Sequence, residues 1–485
     1  MTAGEIEEVE MKLELSAEAA DAVEASGLFS VEPVIVRQHA IYFDTPDHAL
    51  FEAGLSLRIR YNDGRRIQTI KVEGAAAAGL FVRPEWEWDV ADDRPVLDDT
   101  TPIPALIGKK VAEIAPLLTV ENERRVWNQD GMEIALDRGR IIASERETPV
   151  CEIELEQKGG DFAALFVLVR RIDAIAPVHL GVLSKAQRGY RLLGPAPTAT
   201  KAVPIALTAT MTAADTFQAI ARACLKQFRL NEPLVLDHED PAALHQARVA
   251  LRRLRSAFSI HEAMVADGKF QALGDDLRWL AGELGKARDL DVLVERVGDC
   301  PLRDRLSQAR TEAYANAALV MRSDRARALM IDLAEWLVVG EWRSRPEGRE
   351  IRDLPAREFA AKALDRFRRK VKKGGRELEN LDDEARHEVR KAAKKLRYAA
   401  EFFAALYERK RERRRHKRFV SSLEALQDQL GALNDLATAP DVLRTLGLAD
   451  DPKAAALLGA NEKADLLETA AEAHDALVDA SRFWR

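Results

Sequence analysis

The sequence predicts an α+β chain of two dissimilar parts, an antiparallel sheet able to close into a barrel with a charged lumen, followed by an all-α region. Three observations carry this. Charged side chains recur at every second position in four stretches of the first 160 residues, helical periodicity replaces turn signals near residue 200, and the second half repeats itself.

The four stretches are Glu8, Glu10 and Lys12; Arg58 and Arg60; Glu85 and Glu87; and Glu152, Glu154 and Glu156. Val9, Met11, Leu57, Ile59, Trp86, Trp88, Ile153 and Leu155 lie between them, so each reads as a strand with one apolar and one charged face. For any single stretch, a solvated face with incidental ion pairs is the simpler reading. Four matching stretches reverse that preference. Facing carboxylates repel one another and lose hydration, so they demand a bound cation or a paired base. Oxygen donors without a Cys or His pair at ligand spacing favour Mg2+ or Mn2+ over zinc. The Arg and Lys of the same faces suit a chain of phosphates.

Residues 7–157 read mostly as strands, punctuated at Asn62-Asp63-Gly64 and Asp130-Gly131, with short helices near 16–26, 104–114 and 160–174. The stretch Gly194 to Pro204 separates them from the helical part, placing a boundary near 200. A chain of 485 residues with 47% hydrophobic content has room for two or three domains. Residues 1–200 carry 22 Lys and Arg against 34 Asp and Glu, the remainder 51 against 46, so an acidic half precedes a basic one. The acidic N-terminus is unlike a signal peptide and no apolar run reaches membrane-span length, so a cytoplasmic location without membrane partners is expected. Cys151, Cys224 and Cys300 are widely spaced and expected to be small core residues.

In the second half, His245-Gln246-Ala247-Arg248 continuing to Arg252 and Arg255 recurs as His387-Glu388-Val389-Arg390 continuing to Lys394 and Arg397. Leu284-Gly285-Lys286-Ala287-Arg288-Asp289-Leu290 recurs as Leu430-Gly431-Ala432-Leu433-Asn434-Asp435-Leu436. On a helix the four basic positions of each copy fall within an arc of about 80°. Ala247, Leu251, Leu254 and Phe258 oppose the first stripe, and Val389, Ala393, Leu396 and Ala400 the second. Solvated helices interleave charge signs at i and i+4, which these stripes do not, so a duplicated anion-binding surface is expected. The run Arg409 to Arg418 has no apolar anchor and reads as a solvated helix end or loop. Few aromatics accompany the basic segments, so specific nucleic-acid binding is not expected.

The first half resembles CYTH domains, the triphosphate tunnel metalloenzymes. The resemblance rests on Glu8-Val9-Glu10-Met11-Lys12, Tyr42-Phe43-Asp44-Thr45-Pro46, Leu57-Arg58-Ile59-Arg60, Thr69-Ile70-Lys71, Glu85-Trp86-Glu87, Leu136-Asp137-Arg138-Gly139, Cys151 to Glu156, and Ser184-Lys185 with Gly189-Tyr190. It implies an eight-stranded antiparallel tunnel that hydrolyses inorganic triphosphate with Mg2+ or Mn2+. Glu8, Glu10, Glu152 and Glu154 would hold the metal; Arg58, Arg60, Lys71, Arg124 and Lys185 would grip phosphate oxygens. Lys12 would neutralise the transferred group, with Glu87 and Asp137 as further ligands or water-positioning groups and Glu85 a less certain member. Either Arg124 or Arg125 could be the later arginine, and the spacing from Arg124 to Trp127 selects Arg124.

The duplicated helices resemble CHAD domains, which implies two four-helix bundles around a basic groove or pore for inorganic polyphosphate. His245, Arg248, Arg252, Arg255, His387, Arg390, Lys394 and Arg397 would line it. Arg222, Lys226, Arg229, Lys362, Arg366, Arg369 and Lys373 are additional basic positions for the same channel. The expected domains are 1–198, a linker 199–208, and 209–485 with repeats at about 209–345 and 355–485. The resemblance makes triphosphate and long-chain polyphosphate the partners, with polyphosphate granules a place of association. Alternatives are a non-catalytic polyphosphate scaffold, an organic triphosphatase acting on thiamine triphosphate or nucleotides, and a class IV adenylate cyclase.

Overall fold

The computed structural model describes residues 6–62, 64–72, 80–158, 162–297, 300–445, 447–448 and 463–485. The chain forms two compact units: residues 1–198 with Asp324–Val339, and residues 199–323 with 340–485.

The first unit is built on one sheet. Its strands are β1 (Ile6–Glu14), β2 (Val34–Asp44), β3 (Leu55–Asn62), β4 (Arg65–Val72), β5 (Leu80–Asp89), β6 (Ala115–Gln129), β7 (Met132–Ala143), β8 (Arg146–Gln157) and β9 (His179–Leu180). Eight strands were expected; the ninth is the two-residue β9, too short for any alternation to reveal it. The order is β5-β4-β3-β2-β6-β7-β8-β1-β9, and β1 also pairs with β5 from Ile6↔Glu85 to Met11↔Leu80. All these pairings are antiparallel. Asp130 and Gly131 both take positive φ at the β6–β7 turn, the geometry that matches strand twist in a two-residue hairpin. Asp63, in the other turn read from sequence, lies outside the described residues.

The helices of this unit are α1 (Ala17–Ala25), α2 (Ala49–Glu52), α3 (Ile103–Ile107), α4 (Phe162–Ile175) and α5 (Lys185–Leu193). Ser16 starts α1 by accepting from the Ala19 amide. Leu165, Phe166, Val169 and Ile172 of α4 are fully buried, at the 3.6-residue period of an amphipathic helix. A second core collects Phe43, Leu50, Leu55, Leu57, Ile59, Ile70 and Ile103, with Trp86 and Trp88 against it. Leu57, Ile59, Trp86 and Trp88 among these are the apolar positions from between the charged ones.

The second unit is helical, with α6 (Ala213–His238), α7 (Pro241–Val265), α8 (Phe270–Arg296) and α9 (Pro301–Arg322) before the helix α10 (Asp324–Val339) that groups with the first unit. After it come α11 (Arg349–Arg352), α12 (Ala356–Gly374), α13 (Asp383–Phe402), α14 (Lys410–Thr445) and α15 (Lys463–Asp479). Thr212 and Asp215 close a capping box on α6, and Asp240 caps α7. Both repeats pack their consecutive helices together, and α7 meets α13. There Arg253 of α7 pairs with Glu401 at 2.5 Å and lies 4.8 Å over the Phe402 ring. The segment 199–208 is tied down: Thr200 exchanges two hydrogen bonds with the Asn231 side chain, and Ile205 and Leu207 are buried. All three cysteines are free, and only Cys224 is buried. No helix among the described residues is long and apolar enough to cross a membrane.

Candidate active site and basic cavity

Directly opposed residues of an antiparallel pair share a face, so the register shows where the charges point. Lys12 stands opposite Glu154, Glu14 opposite Glu152, Glu152 opposite Asp137, and Asp137 opposite Arg124. Across β2 to β5, Tyr42 faces Arg58, Arg58 faces Thr69, Thr69 faces Glu87, and Lys71 faces Glu85. Ala40 links the two sets, opposite Val120 on β6 and Arg60 on β3. One sheet face therefore carries every charged position read from the first-half pattern. Glu8 shares it by alternation with Glu10, but its side chain lies outside the described residues.

At one part of this face, carboxylates and bases interlock. Lys185 Nζ lies 2.7 Å from Asp137, 2.5 Å from Glu152 and 2.9 Å from Glu154. Lys12 Nζ contacts Glu154 and stands 3.3 Å from Glu10 and 3.7 Å from Glu152. Arg124 grips Asp137 through Nε at 2.8 Å and Nη2 at 2.6 Å and also contacts Glu154; Asn122 donates to Asp137 at 2.8 Å. Burial opposes charge on Lys12 and Lys185, yet the surrounding carboxylates outweigh it and raise both above the usual ammonium range. Burial likewise opposes ionisation of Glu154 and Asp137. The neighbouring ammonium and guanidinium groups win, and both carboxyls are held below their usual range.

Oxygens of Asp137, Glu152 and Glu154 lie within 4.8 Å of one another. With Glu10 they make four carboxylates against four bases, Lys12, Lys185, Arg124 and Arg188, the last 3.4 Å from Glu152; the all-oxygen donor set suits a hard divalent cation. Asp137 is fully buried and held by three donors, Asn122, Arg124 and Lys185, and its oxygens stand with those of Glu152 and Glu154, the sequence reading having offered it as a further ligand or water-positioning group. Arg125 points away from this cluster, to Glu24 and Glu123. Asn122, a neutral residue two positions before Arg124, was not visible in the sequence pattern of charges.

Elsewhere on the same face, Arg58 and Arg60 are half-buried side by side, and the Nε of each is shut from solvent without a hydrogen-bond partner. Arg60 is pushed down to about 10, first by the Arg58 charge and then by burial, against the pull of Glu87. Two crowded guanidiniums with unused donors suit an anion. Glu87 accepts from Thr69 at 2.8 Å and lies 3.5 Å from Arg60; its carboxyl is held low, burial being outweighed by Arg58 and Arg60. Lys71 already pairs with Glu85 at 2.8 Å.

Helix α5 places Lys185. Ser184 and Gln187 form its capping box, so the site lysine is the first helical residue. Gly189 lets the helix approach β6: a Cβ there would stand 2.6 Å from Leu118 Cδ2. Tyr190 Oη donates to Asp44 at 2.6 Å, and Asp44 also accepts from the amides of Thr45, Leu50 and Phe51. The Asp44-Thr45-Pro46 motif thus anchors α2 and α5 and takes no part in the charged face.

In the helical unit, both basic stripes reach one cavity of about 740 Å3. Arg248, Arg252 and Arg255 line it with His387, Arg390 and Lys394, joined by Asp289, Asn434 and Asp435 of the second repeated motif. All eight apolar residues opposing the stripes are buried. Burial, then Arg390, Arg252, Arg397 and Arg248, depress Lys394 to about 7. Arg252 Nε and Arg390 Nε are buried without partners.

Two stripe residues depart from expectation, for neither lines the cavity. His245 is driven to about 4 by burial and by Arg288, Arg252 and Arg248, so it is neutral there. Arg397 leans on Glu401 at 3.2 Å. None of the additional basic positions lines the cavity either. Arg229 pairs with Glu232, Lys362 with Glu358, and Arg366 donates to the Ser259 and Ile260 carbonyls, so local partners consume them. The run Arg409–Arg418 is largely exposed along the start of α14.

The family model of the CYTH domain matches residues 7–190 and that of the CHAD domain residues 219–444. Over 202 residues the chain is 31% identical to an inorganic triphosphatase of Haemophilus influenzae, covering 39% of this chain and 55% of that relative. The chain thus spans about half the length of that curated relative. The crystal structure of the CHAD domain from the plant Ricinus communis is 31% identical, covers 59% of this chain and 96% of its own, and superposes with a TM-score of 0.47. A putative adenylyl cyclase from Hippeastrum, described as having a dominant triphosphatase activity, is 19% identical over 38% of this chain and 95% of its own, with a TM-score of 0.31. The chain therefore carries a CYTH domain followed by a CHAD domain.

Proposed function

We propose that the N-terminal unit hydrolyses inorganic triphosphate to pyrophosphate and phosphate, and that the helical unit binds longer inorganic polyphosphate. The observation that carries the first part is the pairing, on one sheet face, of a cluster of carboxylate oxygens with two arginines whose buried Nε donors lack partners. The β1–β5 pairing supports closure of the eight long strands into a tunnel that encloses this face. Similarity to the Haemophilus influenzae inorganic triphosphatase supports the same substrate class.

In this reading Arg58 and Arg60 take the oxygens of one phosphate, relieving their mutual repulsion as they bind. Lys12 and Lys185 face the other end and offset charge on the transferred group. Glu87, kept ionised by its arginine neighbours, accepts from a water and orients it. Phosphoryl transfer needs little beyond such positioning and charge neutralisation, so no covalent nucleophile is required. Glu8, Glu10, Glu152 and Glu154 would hold Mg2+ or Mn2+, which supplies Lewis-acid stabilisation of phosphoryl oxygens when bound. Lys71, tied to Glu85, serves phosphate only by giving up that partner.

The helical cavity, with its depressed Lys394 and unpartnered Arg252 and Arg390 donors, supports polyphosphate binding by the CHAD domain. A non-catalytic scaffold is the rival reading, favoured by the way Lys185 already ties three carboxylates. Phosphate release from tripolyphosphate, thiamine triphosphate, ATP and long polyphosphate, with Mg2+ or Mn2+ and with chelator, decides between them. Metal-dependent turnover preferring tripolyphosphate supports the proposal; binding without turnover under every metal supports the scaffold, and cyclic nucleotide release from ATP supports a cyclase.

A further inference from the structure

Helix α10 lies inside the stretch matched by the CHAD domain, yet it packs as part of the N-terminal unit. Two clamps of opposite sense fasten it to α4. Arg170 of α4 donates from Nη2 to Asp332 at 2.5 Å and to Glu335 at 2.8 Å, with Nη1 3.3 Å from the second Glu335 oxygen. In return, Arg327 of α10 donates from Nε to Asp173 of α4 at 2.7 Å, and Arg327 is only 7% exposed. Reciprocal guanidinium–carboxylate pairs fix both the register and the direction of two packed helices. Leu329, Leu333, Trp336 and Leu337 of α10 are buried beside them.

The contact continues toward the charged face. The Asp173 oxygen that receives Arg327 also accepts the Val178 amide at 3.1 Å, one residue before β9, and α10 packs on β9 as well as α4. β9 sets Leu180 opposite Leu13 and His179 opposite Glu14 on β1, after which the Gly181 amide donates to the Lys12 carbonyl at 2.9 Å. The join is tight, because a Cβ on Gly181 would lie 3.1 Å from Lys12 Cβ and 3.3 Å from Glu14 Cγ. Four residues on, Lys185 enters the carboxylate cluster.

We propose that α10 is a positioning element for Lys12 and Lys185: Arg327, through Asp173, fixes the approach to β9 and so sets both ammonium groups against Glu152 and Glu154. A helix supplied by the CHAD stretch of the sequence thereby tunes the CYTH face. The kinetic part of this inference rests on the triphosphatase reading, whereas the structural part does not.

The test uses the full chain as wild type, Arg327→Ala and Arg327→Lys. Hydrogen exchange of amides 178–185 reports β9 and the start of α5 without reference to activity. Arg327→Ala is expected to speed that exchange by about tenfold while leaving α6 to α8 protected, with Arg327→Lys recovering most of it. Under tripolyphosphate turnover the same variant should lose about tenfold in kcat with KM little changed. Because the effect acts through Lys12 and Lys185 together, it should shrink in a Lys185→Met background, as coupled sites are non-additive. Wild-type exchange across 178–185 in folded Arg327→Ala overturns the proposal. So does a kcat loss that adds in full to that of Lys185→Met. Absent turnover in the wild type would sink the triphosphatase reading alone, leaving exchange to decide the role of α10.

Discussion

Arg60 shows at the scale of one side chain how the charged face is poised. Its guanidinium is depressed to about 10 by Arg58 and burial, whereas Arg58, despite its own burial, is held above its usual range by Tyr42, Glu85 and Glu87, so the strain falls on Arg60. Arg60→Ala should therefore leave thermal stability unchanged or slightly raised while cutting kcat/KM for tripolyphosphate by roughly 100-fold, the scale of a lost charge-stabilising contact. Calorimetry and phosphate release on one preparation check both; a large drop in unfolding temperature would contradict the strain argument. Lys185→Met has the opposite sign for stability, because it leaves Asp137, Glu152 and Glu154 short of a base, at a cost of about 3–5 kcal/mol. In the helical cavity Lys394 is charged below about 7 and neutral above it. Polyphosphate affinity should fall by roughly fivefold between pH 6 and pH 8.5 at fixed salt, as one contact charge is lost. Binding titrations with Lys394→Met should show that slope flattened. Period-two alternation made the charged residues legible because every strand repeats it. Asn122 carries no such signal: its role arises from Asp137 on another strand, which no window of sequence displays.

Elements divide in the same way. The strands and α1, α4 and the helical segment at Ile103–Ile107 and beyond were legible from alternation, caps and apolar spacing. The two-residue β9 and four-residue α2 are too short to hold a period, and α2 exists because Asp44 collects the Leu50 and Phe51 amides. Helix α5 was legible only as a lysine motif, since Gly189 and a half-polar face hide its helical character. The helix is held by its tyrosine: Tyr190→Phe should cost about 1–3 kcal/mol in urea unfolding, as Asp44 loses a buried donor. A mutant as stable as wild type would show that the helix is fixed by packing alone. Helix α10 was read as part of the basic repeat, and its docking on α4 depends on Arg170 and Asp173, more than 150 residues earlier. Sequence spacing cannot register such a pairing.

Over the whole molecule, the roles proposed for the acidic and basic halves should separate by mutation. Removing the stripe charges through Arg248→Ala, Arg252→Ala, Arg390→Ala and Lys394→Ala should weaken long-polyphosphate binding at least tenfold and flatten its salt dependence. Triphosphate turnover should stay within about twofold, since no stripe residue lies on the sheet face. Equal losses of both properties would mean that one site serves both. The charge asymmetry and the internal repeat made this division legible, whereas the transfer of Asp324–Val339 to the first unit was not. The central claim is that the sheet face is a metal-dependent triphosphatase site, and the most direct measurement is phosphate release from tripolyphosphate by the full chain and by Glu154→Gln. The account predicts turnover with Mg2+ or Mn2+, none with chelator, and at least about 100-fold less in folded Glu154→Gln. Metal-independent turnover, or wild-type turnover in that variant, would contradict it.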